Sequence, residues 1–431
     1  MSFNIIVVCP YSPRWSNIAS IRWEKLSKYL SLNHKVTLIT SSFKEPIRER
    51  SFDIGKAKLV EIPLKYYRRN PFLDMKTNTG EFLENSIQHR IKAEARVLLE
   101  RFFPISSGGM LYHDYRSYKN EISKHLSTNE INILITTYDP WFSIRLGNWF
   151  KQKHKNLIWI ADFRDPSFNI HESMISRLGI FKSTTKEILK PADVVTVVTH
   201  QMKQDYERLT QKKVLFLPNG YDGDLSNLYS DEFSIKKTKN SLTISYTGSL
   251  HPETIEISYF TEALKEAKLT SPNTKFIFNY AGFHSTRVKK EFYKRGIMNI
   301  LKDYGLVERD QAIKLQRESD ILLLIAYTGD DEKIGRSIRT GKVYEYLASG
   351  KPIIVLAPHD WEMRDEIESD GVSKVFHKSQ ISEMAKYLIE LSQKEDLKIN
   401  MSARRKVIKK YLYQNLAVRL EEAIVEVVKN I

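Results

Sequence analysis

The fold is decided by one stretch of sequence, Thr340-Gly-Lys-Val-Tyr-Glu-Tyr-Leu-Ala-Ser-Gly-Lys-Pro-Ile-Ile-Val-Leu356. This stretch predicts a helix, a tight turn and a buried strand, and Leu323-Leu-Ile325 predicts a second buried strand before it. A polar loop, residues 326–341, leads from that strand into the N-terminus of the helix. Open α/β sheets bind anionic ligands at such a place, because free N–H groups and the helix dipole meet the carboxyl ends of the strands.

Glu345 lies about one turn into this predicted helix. At that depth its carboxylate is close enough to accept a hydrogen bond from a hydroxyl of a bound sugar or ribose. The alternative is an ordinary amphipathic helix whose glutamate faces water. Spacing alone does not separate the two, since a motif match is only a hypothesis.

The size and charge of the chain limit the classes of protein to which it can belong. Its 431 residues predict two or three domains, and a hydrophobic content of 42% is ample for folded cores. Lys and Arg exceed Asp and Glu by 15, which favours polyanionic partners: phosphorylated substrates, an anionic inner membrane leaflet or nucleic acid. Nucleic acid is disfavoured, because the sequence has neither zinc-finger spacing nor an aromatic RNA-binding signature.

The sequence indicates a cytoplasmic protein. Its one cysteine, Cys9, cannot form an internal disulfide, which suits a reducing compartment. Because Cys9 follows the apolar run Ile5-Ile-Val-Val8, we expect a small buried residue at a strand end and not a nucleophile. The first ten residues have no basic region and only a short apolar run, so no signal peptide is predicted. No window approaches the roughly 18 apolar residues of a transmembrane helix.

Strands and helices alternate along the chain in two consecutive halves. The first half opens with a strand at residues 4–8, a helix at 19–32 and a strand at 35–40. This opening has no Gly-x-Gly-x-x-Gly string, so we expect no nicotinamide or flavin dinucleotide there. Further strands are predicted at residues 58–63, 131–137, 157–161, 192–198, 213–218, 242–247, 275–280, 321–325 and 373–376. The polar residues 225–240 separate the halves, and residues 404–428 predict one long helix.

Residues 44–130 interrupt the first half. Within them a helix is predicted at residues 82–103, and residues 65–72 mix basic with aromatic side chains. Such a mixture suits a membrane interface, because basic side chains snorkel and aromatic rings sit at the depth of the headgroups. The alternative is a surface loop packed on the domain.

Three segments together resemble a known family. They are Asn219-Gly-Tyr-Asp222 after a strand, Tyr246-Thr-Gly-Ser249, and Lys342-Val-Tyr-Glu-Tyr-Leu-Ala-Ser-Gly-Lys-Pro352. In this order and at these separations they resemble the family 4 glycosyltransferases of the GT-B fold. Asp162-Phe-Arg-Asp-Pro166 is similar to a segment of bacterial members that build surface polysaccharides.

The resemblance implies an α/β fold. Two Rossmann-like domains would face each other across a cleft, and a C-terminal helix would cross back to the first domain. Residues 1–225 would form the acceptor domain, residues 226–403 the nucleotide-sugar domain and residues 404–431 the crossover helix. Such an enzyme moves a sugar from a nucleotide sugar to a lipid-linked or glycan acceptor, and we expect retention of configuration.

The resemblance also assigns donor-binding residues in the second domain. It implies that Glu345 holds the ribose, and that Gly248 and Ser249 lie at the diphosphate together with the helix N-terminus. Leu306 and Val307 match the segment whose backbone meets the base. A leaving diphosphate gains negative charge as the glycosidic bond breaks, so N–H donors and a cation placed there stabilise the transition state.

Three cations precede or open the predicted helix: Arg336, Arg339 and Lys342. Each alone is more often a surface charge than a ligand, but three in one loop favour a role at the diphosphate. Tyr344, beside Glu345, completes the donor-binding set that the resemblance implies.

On the acceptor side we assign the catalytic work to Asp162, Arg164 and Asp165, with Arg14 and Arg22 from the first βα unit. The cation between the two aspartates lowers the pKa of their carboxyl groups and keeps them ionised. They would then orient a hydroxyl or a diphosphate more readily than act as a general acid. The alternative is an ion-pair network that stabilises the domain.

The sequence departs from the family at two places. Family members often carry a second glutamate eight residues before the position of Glu345, where this chain has Ser337. Many also place an Arg and a Lys after the glycine turn, whereas residues 249–256 contain neither. Two alternatives therefore stay open: a nucleotide-sugar epimerase of the same fold, and a non-catalytic partner that binds a nucleotide or glycan.

Asp222-Gly-Asp224 forms an Asp-x-Asp string, which binds a metal in another glycosyltransferase fold. Here it lies in a predicted turn, and Asp and Gly are common turn residues. We therefore expect no divalent metal and no cofactor, the nucleotide sugar being a substrate.

Overall fold

The computed structural model describes residues 2–15, 18–42, 50–63, 112–138, 140–165, 180–223, 225, 234–250 and 254–430. The predicted helix at 82–103 and the basic aromatic residues 65–72 lie outside these ranges. The chain divides into two compact units and passes between them at Asp222–Gly223 and at Tyr411–Leu412. Among the described helices, none is both long and apolar enough to cross a membrane.

The first unit is built on a parallel sheet of seven strands in the order β3-β2-β1-β4-β5-β6-β7. The strands β1 to β7 are Asn4–Val8, Lys35–Ser42, Lys58–Pro63, Asn132–Tyr138, Ile158–Phe163, Val194–Val197 and Val214–Phe216. The helices α1 to α5 are Ile18–Leu30, Tyr112–His125, Trp141–Lys153, Ile180–Leu189 and His200–Thr210. The strands β1 and β5 are buried along their whole length, as expected for parallel strands covered on both faces.

Alternate residues of β1 supply two hydrophobic cores, one on each face of this sheet. Ile6 and Val8 belong to the core that contains side chains of α2 to α5. Ile5 and Val7 belong to the other core, which α1 and the C-terminal helix cover.

The second unit is built on a parallel sheet of six strands in the order β11-β10-β9-β12-β13-β14, with a separate antiparallel pair, β8 and β15. The strands β8 to β15 are Ser234–Lys236, Ser241–Thr247, Lys275–Ala281, Leu301–Asp303, Ile321–Ile325, Ile353–Leu356, Lys374–Phe376 and Asp396–Lys398. The helices α6 to α13 are Ser258–Thr270, Ser285–Lys294, Arg309–Arg317, Glu332–Gly335, Gly341–Ser349, Arg364–Glu368, Ile381–Gln393 and Met401–Lys409, with a 3₁₀ turn at Met298–Ile300. The strand order reverses at β9, between β10 and β12, and a ligand site is expected where parallel strands flank such a switch point.

The structure corrects two predictions of the sequence. The predicted linker, residues 225–240, contains the strand β8, whose three residues are too few to give a periodic signal. The predicted helix 404–428 is two helices, α13 and α14, the latter Tyr413–Lys429. The backbone of Leu412 is extended and bridges to Tyr221, whose carbonyl accepts a hydrogen bond from the N–H of Tyr413 at 3.0 Å. Pairing with this distant segment therefore interrupts a continuous helical pattern.

Candidate functional site

The turn after β9 is made by a glycine that no other residue replaces easily. Gly248 has a φ of +135°, and a Cβ atom at this position would lie 2.5 Å from Nζ of Lys342. The turn is fixed from β10, since the N–H of Gly248 donates to the carbonyl of Ala281 at 2.7 Å. Gly282 is equally constrained, because its Cβ would meet the carbonyl oxygen of Gly248 at 1.9 Å. Bare backbone therefore lies directly beside the Lys342 ammonium.

The Lys342 ammonium is held by a phenol. Its Nζ donates to the hydroxyl oxygen of Tyr246 at 2.8 Å and lies 4.3 Å from the centroid of that ring. Within the described ranges, no carboxylate oxygen lies within 4.0 Å of it. Burial lowers the pKa of Lys342 to about 8, against the opposing attraction of Glu345. Among the described residues, the cation thus has no carboxylate in ion-pair contact at the carboxyl edge of the sheet.

Lys342 belongs to the first turn of α10. Thr340 precedes this helix with extended backbone, and its side chain does not cap the helix. The Oγ1 atom of Thr340 is buried, with no hydrogen-bond partner among the described residues. The first N–H groups of a helix have no partner within it, so this end presents donors beside the Lys342 ammonium. An anion is the ligand that satisfies both.

Both ends of α10 are fixed in the second unit. Near the β9 strand, the hydroxyl of Tyr346 accepts from the N–H of Thr247 at 3.1 Å. At the other end Gly350 adopts a φ of +74°, a left-handed conformation that ends the helix. The buried Arg404 donates to the carbonyls of Tyr346 and Leu347, both at 3.3 Å. The guanidinium therefore satisfies two of the last carbonyls of α10.

Glu345 is paired with an arginine that the sequence analysis did not single out. Its Oε1 accepts from Nη2 of Arg309, the first residue of α8, at 2.6 Å. Arg309 follows the predicted base-binding segment, Leu306 and Val307, and the side chain of Leu306 is exposed. A carboxylate, a guanidinium and an apolar side chain thus lie after β11 and β12, whose carboxyl ends share one edge of the sheet. Its position next to Val307 was the only sequence signal for Arg309.

The other two predicted cations are engaged by carboxylates. Arg336 forms an exposed ion pair with Asp360 at 3.3 Å. Arg339 is buried and donates to Glu362 at 3.0 Å and to the hydroxyl of Tyr411 at 3.2 Å.

Tyr344 is also buried and packs against the ring of Tyr411 at 4.9 Å. Arg339 and Tyr344 therefore anchor α10, and Lys342 is the predicted cation that stands beside the glycine turn. Ser249 offers its carbonyl to the Tyr246 hydroxyl at 2.9 Å, and Ser337 is buried. Residues 251–253 lie outside the described ranges.

The predicted acceptor-side residues differ in burial. Asp162 is fully buried and accepts hydrogen bonds from Arg22 at 2.8 Å, Trp23 at 3.1 Å, Thr137 at 3.0 Å and Thr196 at 2.7 Å. Burial alone would raise the pKa of Asp162, but the Arg22 charge and these hydrogen bonds lower it below its usual value. Both carboxylate oxygens are occupied, so no substrate atom can reach them. This corresponds to the structural alternative stated above.

Arg22 belongs to the same buried network, and its Nη1 donates to the carbonyl of Pro218 at 2.7 Å. Arg164 and Asp165 follow β5, with the Arg164 guanidinium 5.5 Å from the Tyr11 ring and Asp165 exposed. Arg14 is partly exposed and pairs with Glu61 at 3.1 Å. Unlike Asp162 and Arg22, the side chains of Arg14 and Arg164 are partly exposed and that of Asp165 is exposed.

Asp222 is held by helix α1. Its carboxylate accepts from Lys25 at 3.1 Å, from Lys28 at 3.4 Å and from the hydroxyl of Tyr29, and the surrounding donors lower its pKa although burial opposes this. Asp224 lies outside the described residues. In the described part of the chain, no group of three His, Cys, Asp or Glu residues is placed to hold a metal. Burial raises the pKa of Cys9 to about 11, so its thiol stays protonated and is a poor nucleophile.

Solved structures resemble the chain over nearly its full length. A glycosyltransferase from Rickettsia africae ESF-5 is 16% identical, with 99% of each chain covered and a TM-score of 0.61. A variant of S. aureus TarM in complex with fondaparinux, alpha-GlcNAc-glycerol and UDP is 12% identical, with 99% of each covered and a TM-score of 0.58. An E. coli structure described as trehalose-6-phosphate bound with UDP-2-fluoro glucose is 10% identical, with 98% of each covered and a TM-score of 0.60.

The chain has the GT-B fold. The fold class predicted from the sequence is thereby confirmed, whereas family 4 stays a prediction. No protein-family model matches the chain, and a search of curated proteins gives no match.

Proposed function

We propose that this GT-B chain is a glycosyltransferase of the family 4 type. It transfers a sugar from a nucleotide sugar to a lipid-linked or glycan acceptor in cell-surface polysaccharide synthesis. The transfer retains the configuration of the sugar, needs no divalent metal and takes place in the cytoplasm at the inner membrane face. One observation carries this proposal: the Lys342 ammonium, without a carboxylate partner among the described residues, lies against Gly248 in the first turn of α10.

Cleavage of the donor is favoured by such a cation at the diphosphate. As the bond to the sugar breaks, the diphosphate gains negative charge, and a fixed cation with backbone N–H donors stabilises that charge more in the transition state than in the ground state. In many members of family 4 the cations come from the loop after the glycine turn, where this chain has neither Arg nor Lys. Lys342 takes over this role from the helix side. Tyr246 fixes its position without neutralising it.

The remaining donor contacts are made at the same edge of the sheet. Glu345 binds the ribose hydroxyls, and the segment of Leu306 and Val307 contacts the base. Two structures of similar fold contain UDP or a UDP-sugar, which supports a nucleotide sugar as the donor class.

On the acceptor side, Arg14, Arg164 and Asp165 are the predicted residues whose side chains are not enclosed like Asp162. They orient the acceptor hydroxyl or its lipid diphosphate. An excess of 15 positive charges favours an anionic membrane surface.

The proposal is tested with a panel of UDP-, GDP- and dTDP-sugars. Thermal shifts identify the donor, nucleotide release measures turnover, and NMR of the product gives the anomeric configuration. We expect donor-specific stabilisation, and release that needs a glycan or lipid-linked acceptor. Sugar isomerisation without an acceptor would identify an epimerase instead. Donor binding without turnover under every acceptor would identify a non-catalytic partner.

A further inference from the structure

The two charged groups of the donor site lie three residues apart on one helix. Lys342 and Glu345 are both in the first two turns of α10. Lys and Glu at this spacing face the same side of a helix and commonly form an ion pair. Here the ammonium binds the Tyr246 phenol at 2.8 Å, and the carboxylate binds Arg309 at 2.6 Å. The ion pair expected from the spacing is thus replaced by two contacts with other elements.

The partners differ in what they do to charge. Tyr246 is neutral, because burial raises the pKa of its phenol well above the ordinary value, so this partner does not neutralise the Lys342 ammonium. Arg309 is a permanent cation that projects from α8, and it neutralises Glu345 while half of its own side chain stays exposed. An arginine that occupies one carboxylate oxygen leaves lone pairs for ribose hydroxyls, since a carboxylate accepts about four hydrogen bonds.

We propose that Arg309 is a positioning residue that keeps the Glu345 carboxylate away from the Lys342 ammonium. The carboxylate then stays available to the ribose, and the ammonium to the diphosphate, of a nucleoside diphosphate. This inference rests on the proposed function, because it concerns the same donor site. Without Arg309, the Glu345 carboxylate pairs with the Lys342 ammonium on its own helix, and neither group is then available to the nucleoside diphosphate.

The inference predicts that a residue remote from the phosphates controls phosphate binding. The variants are Arg309→Gln, the conservative Arg309→Lys, and the control Arg317→Gln, which removes the same charge from an exposed position of α8. Isothermal titration at constant salt gives the affinity for UDP and for methylene diphosphonate, which has neither ribose nor base. Circular dichroism and thermal melting verify that each variant is folded.

We expect Arg309→Gln to weaken the binding of both ligands by about tenfold, as for loss of a charged hydrogen bond, and Arg309→Lys to restore most of it. The control Arg317→Gln should change either affinity by less than about twofold, because its charge is screened by solvent. The double variant Arg309→Gln/Glu345→Gln should recover diphosphonate binding, since the carboxylate on α10 that would hold the ammonium is gone. Equal affinities of Arg309→Gln and Arg317→Gln for diphosphonate would overturn the inference.

A second readout needs no ligand. An NMR titration of the Lys342 side chain in the free protein should give a pKa near 8 in the wild type. In Arg309→Gln the pKa should rise, because Glu345 then approaches the ammonium. An unchanged pKa overturns the inference even if UDP binds well. Failure of the wild type to bind any nucleotide, with the pKa rise present, overturns the proposed function and leaves the role of Arg309 standing.

Discussion

The Lys342 ammonium donates a hydrogen bond to the Tyr246 hydroxyl, which in turn donates to the carbonyl of Ser249 at 2.9 Å. One phenol thereby connects the cation of α10 to the backbone of the turn after β9. The ring of Tyr246 also faces the ammonium, a cation–π contact that contributes about 0.5–2 kcal/mol depending on solvation. Tyr246 therefore helps to fix the position of the cation relative to the turn.

Tyr246→Phe tests this connection. The ring and its contact with the ammonium remain, but both hydrogen bonds are lost, so Lys342 is less well positioned. We expect the Kd for UDP to rise by about threefold to tenfold, in line with one lost hydrogen bond to a charged group. Tyr387→Phe is the matched control, because it removes a partly buried phenol that donates to the carbonyl of Val372, away from the site. Equal UDP affinities of the two variants would show that the phenol does not position the cation.

Donor binding should depend on pH through Lys342. Its pKa in the free protein is about 8, because burial lowers it. The protonated form binds the diphosphate, so affinity is full below pH 8 and is lost as the pH rises above it. The decrease is about tenfold per pH unit until the higher pKa of the complex is reached. Calorimetry of UDP binding between about pH 7 and 10 measures this.

The control for the pH profile is Lys342→Met, which keeps the length of the side chain and removes its charge. Its UDP affinity should be low and flat over the same range. A wild-type UDP affinity that is equally independent of pH would show that Lys342 does not bind the phosphates.

Glu345→Gln tests the ribose contact separately from the diphosphate contact. The variant loses an ionic acceptor for the ribose hydroxyls, so UDP should bind about tenfold more weakly. Methylene diphosphonate should bind at least as well as to the wild type, because the Lys342 ammonium keeps its charge and loses a neighbouring carboxylate. Titration calorimetry gives the affinity of the variant for each of the two ligands. Unchanged affinity for UDP would remove Glu345 from the donor site.

Local features were predictable from the sequence because each depends on neighbours along the chain. Most strands of the two sheets follow apolar runs, and the end of α10 follows from Gly350, which adopts the left-handed conformation. The loop into α10 was located for the same reason. These features place the predicted site at the carboxyl edge of the second sheet.

The contacts inside the site were not predictable, because they join distant segments. Arg309 and Glu345 are 36 residues apart, and nothing in either segment indicates the other. The charged run at Asp162 gave no sign that Trp23, Thr137 and Thr196 converge on it from other elements. Burial decides whether such a cluster binds a ligand or stabilises the domain, and burial is a property of the folded chain.

Asp162→Asn should destabilise the first unit. The change leaves the Arg22 guanidinium buried without its counterion, which costs about 3–5 kcal/mol of unfolding free energy. Asp165→Asn, at an exposed position, should cost within about 0.5 kcal/mol. Urea denaturation measures both. Loss of turnover in Asp162→Asn at unchanged stability would instead make Asp162 a catalytic residue.

Gly248→Ala places a methyl group between the turn and the cation. The new Cβ would lie 2.5 Å from Nζ of Lys342, at a φ of +135° that side chains rarely adopt. The ammonium must then move, and we expect UDP affinity to fall by about tenfold or more. Separately, the backbone strain lowers the free energy of unfolding by about 1–3 kcal/mol. Gly296→Ala is the matched control, since its φ is +68° and nothing lies within 4 Å of the added Cβ. Both variants should be destabilised by backbone strain in urea, but the control should keep wild-type UDP affinity, because Gly248, unlike Gly296, lies against Lys342.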